Sequence, residues 1–402
     1  MALLKFLFPL LFLAFSLGEI VRIRIFASVN SGIFDLVLIM ILGIWIVFSK
    51  KSKYSLFKPI LIFSGIALFS LIINLGKFQL DQIFISSLYL VRFVLYSGIY
   101  FVLVDLDKKN TKRIPYYMLF SGLIIISLGF VQYFFYPSLK NLYYLGWDDH
   151  MYRLFSTFLD PNFTGAFFVL FLVFVYILKE NIFPKKYLFL SYIIIALNLI
   201  AIILTFSRGA LLMLLVCVVT YSFLSKNWKI TGGIIIGFIL VFFILSPKFY
   251  VENMNLLRFA STEARIETAK RGLSIWQDNP MGVGFNTYRF ARKAYEPTDW
   301  TNFGPSHAGS GIDNSLILVL ATAGFIGFGA YIYLLYRTIK LGYSNFNVKI
   351  NGNIKKNKYA LVLVISLVGL IVNSLFINSL FYSFLLFWIF LLAGLTENKS
   401  RE

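Results

Sequence analysis

The chain has 402 residues, of which 59% are hydrophobic and 14% charged, with a formal net charge of +19. A soluble protein carries about 25% charged residues. Apolar runs recur along the whole length here, which excludes a soluble domain and leaves no place for a linker to one.

Taken in chain order, runs suited to crossing a bilayer, ideally ~20 apolar residues each, fall at 3–21, 32–49, 59–76, 83–105, 115–136, 161–179, 187–206, 209–225, 230–247, 314–336, 359–376 and 378–396. The first opens with Lys5 like a signal peptide. No small-residue cleavage site follows it, and Glu19, Arg22 and Arg24 come next, so it reads as a retained helix. Asn373, Ser374, Asn378 and Ser379 mark a break between the last two runs. The lone Cys217 sits in an apolar run and reads as a small packing hydrophobe. The predicted fold is an all-α polytopic membrane protein of about 12 transmembrane helices. It forms a single integral membrane domain over 1–402, with one large extracytoplasmic loop, 248–313, that contains short helices.

Lys and Arg set the orientation. One set of connections holds Lys50, Lys51, Lys53 and Lys58, then Lys108, Lys109, Lys112 and Arg113, then Lys179, Lys185 and Lys186, then Lys226 and Lys229, and finally Arg337 to Lys358. These read as cytoplasmic, and with twelve spans both termini are cytoplasmic too. The positive charge then needs no nucleic acid, because positive-inside bias beside anionic membrane lipids accounts for much of it.

The opposite face carries a short connection, 137–160, and the long loop. The loop mixes Arg258, Arg265, Lys270, Arg271, Arg289, Arg292 and Lys293 with seven acids, among them Glu263, Asp278 and Asp313. Basic residues there run against the orientation rule. An anionic ligand explains them, and so does a salt-bridged folded surface.

Arg92 lies inside the apolar stretch Ile83–Val104, where a charge faces a cavity, a partner or backbone carbonyls. Arg208 lies where two apolar runs meet with almost no loop between them, which puts its guanidinium at the mouth of a tight hairpin. Residues 263–277 read as an amphipathic helix, with Ile266, Ala269, Leu273 and Trp276 at helical spacing and Arg265, Lys270 and Arg271 among the polar positions. It ends near Asn279-Pro280. Gly282 and Gly284 follow, in a turn whose N–H groups suit phosphate or sugar, or which is only a turn. Asp313 and His307 are both competent bases. Asp313 stands where the chain enters the membrane, so partial desolvation raises its pKa. It also reads as the N-cap of the next helix. Two histidines with no Cys/His cluster make no metal site.

Four segments together resemble the O-antigen polymerase and O-antigen ligase family, the Wzy-type polymerases and their ligase relatives. Arg153-Leu154-Phe155-Ser156-Thr157-Phe158, with Asp160-Pro161-Asn162 after it, is similar to the family's Arg…Gly-Thr-Phe…Pro-Asn segment, with Ser156 in place of Gly. Thr205-Phe206-Ser207-Arg208-Gly209-Ala210 is similar to its T-x-S-R-G-A hairpin. Arg265, with Pro280, Gly282 and Gly284, matches the spacing of its R…P-x-G-x-G segment. Asp313-Asn314-Ser315, followed by Gly324 and Gly327, resembles its His-Asn…Gly-x-x-Gly opening of a span. Many members carry His where this chain has Asp313, which leaves Asp313 or His307 as the base. The resemblance covers roughly residues 150–330.

The resemblance implies a metal-independent glycosyltransferase without cofactor in the bacterial plasma (inner) membrane, using an undecaprenyl-diphosphate-linked oligosaccharide. Arg208, Arg92, Arg153, Arg271, Gly282, Gly284 and Asn314 are then the candidate substrate-binding residues, with Arg265, Asp313 and His307 as the candidate catalytic set. Planar arginine forks suit a diphosphate. A polymerase would move the glycan onto another lipid-linked repeat unit, in O-antigen, capsule or exopolysaccharide assembly. A ligase would move it onto lipid A core or another acceptor. A transporter or flippase without chemistry is the reading from another class, and an inverted repeat that would favour it is not visible. A glycan flippase and a chain-length regulator are the protein partners such a pathway implies.

Overall fold

In a membrane, backbone N–H and C=O groups find no water and must be satisfied within the segment, so long apolar runs become helices. The computed structural model describes residues 4–26, 29–49, 52–226, 232–233, 260–295, 311–350 and 353–401. Apart from single-turn pieces, the helices are α1 (Leu4–Leu17), α2 (Ile33–Phe48), α3 (Phe57–Ile73), α4 (Leu80–Val104), α5 (Ile114–Phe135), α6 (Pro161–Ile182), α7 (Leu188–Leu204), α8 (Arg208–Ser225), α9 (Ala260–Asp278), α10 (Ser315–Ser344), α11 (Lys358–Asn373) and α12 (Ser383–Arg401). Eleven of the twelve expected runs are helical, and the ninth, 230–247, lies outside the described residues except for 232–233.

Six helical stretches among the described residues are long and apolar enough to cross a membrane: Leu80–Val104, Lys108–Phe135, Pro161–Ile182, Lys185–Leu204, Arg208–Ser225 and Ser315–Ser344. That is fewer than the expected dozen. The apolar helices α1, α2, α3 and α11 are shorter. Seventeen residues, the length of α3, rise ~26 Å against a hydrocarbon core of ~30 Å. The bundle is helical, but two antiparallel hairpins sit in its connections. They are β1 (Arg22–Phe26) with β2 (Val29–Gly32), and β3 (Asn347–Ile350) with β4 (Asn353–Lys356).

The centre of the bundle is α12, buried from Phe384 through Asn398, together with α6. Both are apolar all round because other helices cover them. The many phenylalanines meet here: Phe15 packs against Phe34, Phe158, Phe167, Phe384, Phe387 and Trp388. Such aromatic pairs contribute ~0.5–1.5 kcal/mol each beyond buried area, useful where lipid weakens the hydrophobic drive. Cys217 is buried, its Sγ 3.6 Å from Ile365 O, so it is a packing cysteine.

The Lys/Arg-rich connections gather at one end. Lys358 pairs with Glu180 at 2.9 Å, and Arg401 reaches both Lys53 O and Glu397. Buried Glu397 accepts from Tyr100 and from Ser55 N, and Asn398 donates to the carbonyls of Leu103, Val104 and Leu106. The starts of α2, α4, α6, α8 and α10 share the other end.

One helix is broken on purpose. Within α10, Gly324 has φ 69° and ψ −175°, a conformation open to glycine alone. The break frees helix carbonyls, and the segment after α9 takes them. Val283 N donates to Ala321 O (3.1 Å), Gly284 N to Thr322 O (2.9 Å), and Phe325 N donates back to Pro280 O (3.1 Å). Ser70 and Asn74 of the α3 end close the splice, Ser70 Oγ on Thr322 O (2.7 Å) and Asn74 Nδ2 on Gly282 O (3.1 Å). A Cβ on Gly282 would stand 2.5 Å from Gly324 N, and one on Gly324 would run into the Met281 backbone. Gly324→Ala should therefore destabilise by at least the ~1–3 kcal/mol of a forbidden backbone conformation. It should lower the apparent melting temperature of the purified protein. Gly329→Ala on the same helix, with nothing within 4 Å of its added methyl, should leave that temperature unchanged.

Candidate functional site

The site is built from helix starts. Each start exposes N–H groups that need acceptors, and here three polar side chains supply them. Asp160 caps α6 through Asn162 N (2.6 Å) and Phe163 N (3.2 Å), and Ser207 caps α8 through Ala210 N (3.3 Å). Asn314 caps α10 through Leu316 N (2.9 Å) and Ile317 N (3.0 Å). Asn314 is thus the cap expected of Asp313, and its side chain also donates to Leu375 O (3.3 Å). That leaves Asp313 just outside the helix with no capping role.

The link between α7 and α8 is only Thr205-Phe206-Ser207, with Phe206 at φ 48°. Arg153, expected at the substrate, is instead buried at 4% exposure and fastens this link. Its Nε donates to Thr205 O (2.9 Å), while Nη2 reaches Asn162 Oδ1 (3.2 Å) and Phe206 O (3.5 Å). Ser207 Oγ also donates to Asn162 Oδ1 (3.2 Å), so the starts of α6 and α8 are tied together. Arg208 follows, half-buried, as the first residue of α8.

The amphipathic helix expected at 263–277 is α9. Gly272 lies so close to Ile312 and Ile317 that a Cβ would stand 2.5 Å from Ile312 Cδ1. Ile275, Val283, Tyr288, Ile312, Leu318 and Ala321 form a small core beneath this contact. Arg265 lies seven residues before Gly272, on the same helical face, and is carried to the start of α10. Its guanidinium stands within electrostatic range of both Asp313 and Arg208. Burial raises the Asp313 carboxyl to about 6, Arg265 pulls it down, and the carboxylates of Asp160 and Asp148 push it up. Asp148 is itself raised by burial and by Asp160. His150 faces Asp160 at 3.8 Å. Arg208, Arg265 and Asp313 are therefore brought together, with Asp148 and Asp160 beside them. His307 lies outside the described residues.

The glycine turn is not a phosphate cradle. Gly282 N donates to Asn279 O (2.8 Å), and Gly284 N belongs to the splice onto α10. These N–H groups are occupied because the broken helix needed donors. Arg271 is half-exposed on α9. Arg92 is also apart from the central group. Its Nη2 lies 3.3 Å from Asp35 Oδ2 on the first turn of α2, and Tyr96 donates to the same carboxylate. It is thus level with a helix start rather than deep in the bundle.

Sequence reading missed Asp35, whose partner is 57 positions away, and it missed Asn373. Asn373 is 1% exposed, 3.1 Å from a Cβ placed on Gly209, and neither of its polar atoms has a hydrogen-bond partner among the described residues. The polar residues Asn373, Ser374, Asn378 and Ser379 at the break between the last two helices were its visible signal. No group of three or more His, Cys, Asp or Glu among the described residues is placed to hold a metal ion.

No curated protein matches the chain. Residues 193–332, which contain Arg208, Arg265, Asp313 and the Pro280–Gly284 splice, match the family model described as O-antigen ligase, and with the apolar helices this supports a multi-pass membrane protein of the O-antigen polymerase and ligase family.

Proposed function

We propose that the chain is a glycan polymerase that transfers an undecaprenyl-diphosphate-linked oligosaccharide onto another lipid-linked repeat unit at the outer face of the bacterial plasma membrane. The observation that carries this reading is the meeting of Arg208, Arg265 and a half-buried Asp313 at one end of an apolar bundle. Arg208 and Arg265 hold the donor diphosphate by paired hydrogen bonds. The acceptor hydroxyl attacks the anomeric carbon of the donor sugar. As the new glycosidic bond forms, the bond from that carbon to the diphosphate oxygen breaks and undecaprenyl diphosphate leaves. The arginines stabilise the charge that develops on it, and the Asp313 carboxylate takes the hydroxyl proton. The family description favours a second reading, a ligase with the same chemistry and another acceptor. Polymer that accumulates on undecaprenyl diphosphate in cells lacking any other acceptor supports the polymerase. Glycan found only on a separate acceptor supports the ligase.

The orientation follows from the basic end of the bundle facing the cytoplasm, with both termini there and the loop 248–313 outside. In a Cys217→Ala background, Ser274→Cys on α9 should label with an impermeant thiol reagent added to intact cells, and Tyr343→Cys at the basic end should not. The opposite pattern inverts the compartment of the site.

Arg208→Lys should lose most activity in a well-expressed protein, since an ammonium keeps the charge without the fork. Arg208→Ala with Arg265→Ala should abolish long-chain glycan on gels. Normal chain length in the double variant rules out the donor site.

A carboxylate base works only when ionised, so kcat/KM, which reports the empty site, should rise with pH through about 6, the Asp313 value, and level off above it. Asp313→Asn should remove that limb and cost about 10²–10⁴-fold in rate, with folding intact because Asn314 makes the cap. His307→Ala should cost far less. A dead His307→Ala beside a working Asp313→Asn would transfer the role to His307.

A further inference from the structure

A second cationic corner lies at the same end of the bundle. Tyr89 and Arg92, three residues apart on α4, share a face. The Arg92 Cζ lies 5.9 Å from the centroid of the Tyr89 ring, and the Cζ of Arg289, from the segment after the splice, lies 5.3 Å from it. Arg289 Nη2 donates to Tyr89 Oη at 2.8 Å, while its Nε is buried without a hydrogen-bond partner among the described residues. Ser86 Oγ on Asn286 O (3.3 Å) fixes that segment against α4. Two guanidiniums gathered on one half-exposed phenol ring repel each other. Asp35 faces Arg92, and Glu19, which also pairs with Arg22, adds negative charge.

This corner is built on α2, α4 and the segment after the splice, whereas Arg208 opens α8. Tyr96, Asp35, Tyr89 and Glu19 are among the groups acting on Arg92, and Arg265 is among those acting on Arg208. A flat aromatic pair, Phe163 and Tyr382, stacked at 4.0 Å and 3°, neighbours both: Tyr382 lies within electrostatic range of Glu19 and Tyr96 and also of Asp160. From the Arg92–Asp35 bridge, exposed apolar residues run down both helices: Leu36, Ile39 and Met40 on α2, Val91 and Val94 on α4. Cations at the mouth above an apolar strip are what a polyprenyl diphosphate requires.

We propose that Arg92, Arg289 and Tyr89 form a second site for the diphosphate headgroup of a polyprenyl lipid, which in the polymerase reading, on which this rests, receives the acceptor while Arg208 and Arg265 hold the donor. A ligase whose acceptor carries no polyprenyl diphosphate has no use for such a site.

The test counts undecaprenyl diphosphate molecules retained by the purified full-length protein, using native mass spectrometry. The wild type should retain two, Arg289→Gln with Tyr89→Leu one, and Arg208→Ala with Arg265→Ala one. Arg289→Lys, which disturbs the packing least, should weaken the second molecule by roughly tenfold, the loss of about one charge-assisted hydrogen bond. Two molecules retained by the Arg289/Tyr89 variant overturn the proposal, as does a wild type that retains only one, lost with Arg208 and Arg265. Displacement of the second molecule by equimolar phosphatidylglycerol overturns it as well, making the corner a general phospholipid site. Two molecules retained without Arg208 and Arg265 would instead defeat the donor site, and the second site would still be judged by Arg289 and Tyr89.

Discussion

A helix interrupted inside an apolar bundle leaves carbonyls that must find donors, and everything at the site follows from how α10 meets that demand. Gly324 turns the chain out of helical geometry, and Ala321 O and Thr322 O are taken by Val283 N, Gly284 N and Ser70 Oγ. Each bond is modest in water, but an unsatisfied carbonyl in an apolar interior costs several kcal/mol. The segment after α9 is therefore held to α10 by backbone rather than by adjustable side chains. Because α9 leads into that segment and packs Gly272 on Ile312, Arg265 comes to rest beside Asp313. The described stretch 260–295 of the polar loop is thus fastened to the membrane bundle.

The electrostatics of the site depend on the same convergence. The starts of α6 and α8 are tied by Asn162, and Asp160 at the first of them is close enough to act on Asp313. Helix starts carry partial positive charge and attract phosphate, so an arriving diphosphate would meet helix dipoles as well as arginines. The acids Asp148, Asp160 and Asp313 would repel it. That repulsion keeps the site from being a simple anion trap, which suits the transfer proposed above, where the carrier lipid would be released after each turnover.

The helices were legible because an apolar run in a chain this poor in charge has few other outcomes: nine of the runs are helices within about four residues of their expected bounds, while α10 continues eight residues past 336 and α12 is shifted by five. The tight hairpin at Arg208 and the amphipathic helix with Arg265 were legible for the same reason: spacing is a local property. Partnership is not local. Nothing near Arg153 in sequence announces Thr205 O, and nothing near Arg92 announces Asp35. The two glycines were read as a ligand turn because the sequence cannot show a broken helix some forty residues later that needs their N–H groups. The cap was misplaced by one residue because Asp and Asn both cap well, and only the backbone decides between neighbours. Helix length also limited the count, since hydropathy finds apolar residues but not where a short helix stops.

The misplaced cap changes what Asp313 can do. A carboxylate engaged by two helix N–H groups would be held strongly in its charged form and would be a poor base. With Asn314 in that place, Asp313 is governed by burial against the charge of Arg265. If a donor diphosphate binds Arg265 as proposed, it cancels much of the positive charge that holds the Asp313 carboxyl down. The carboxyl then rises from about 6 toward neutral pH, where a base has the strongest drive to take a proton while much of it stays ionised. An empty site keeps Asp313 charged and weakly basic, and a loaded one makes it a better base. The same arginine then holds the leaving group and times the proton transfer, a coupling that a capping Asp313 could not provide.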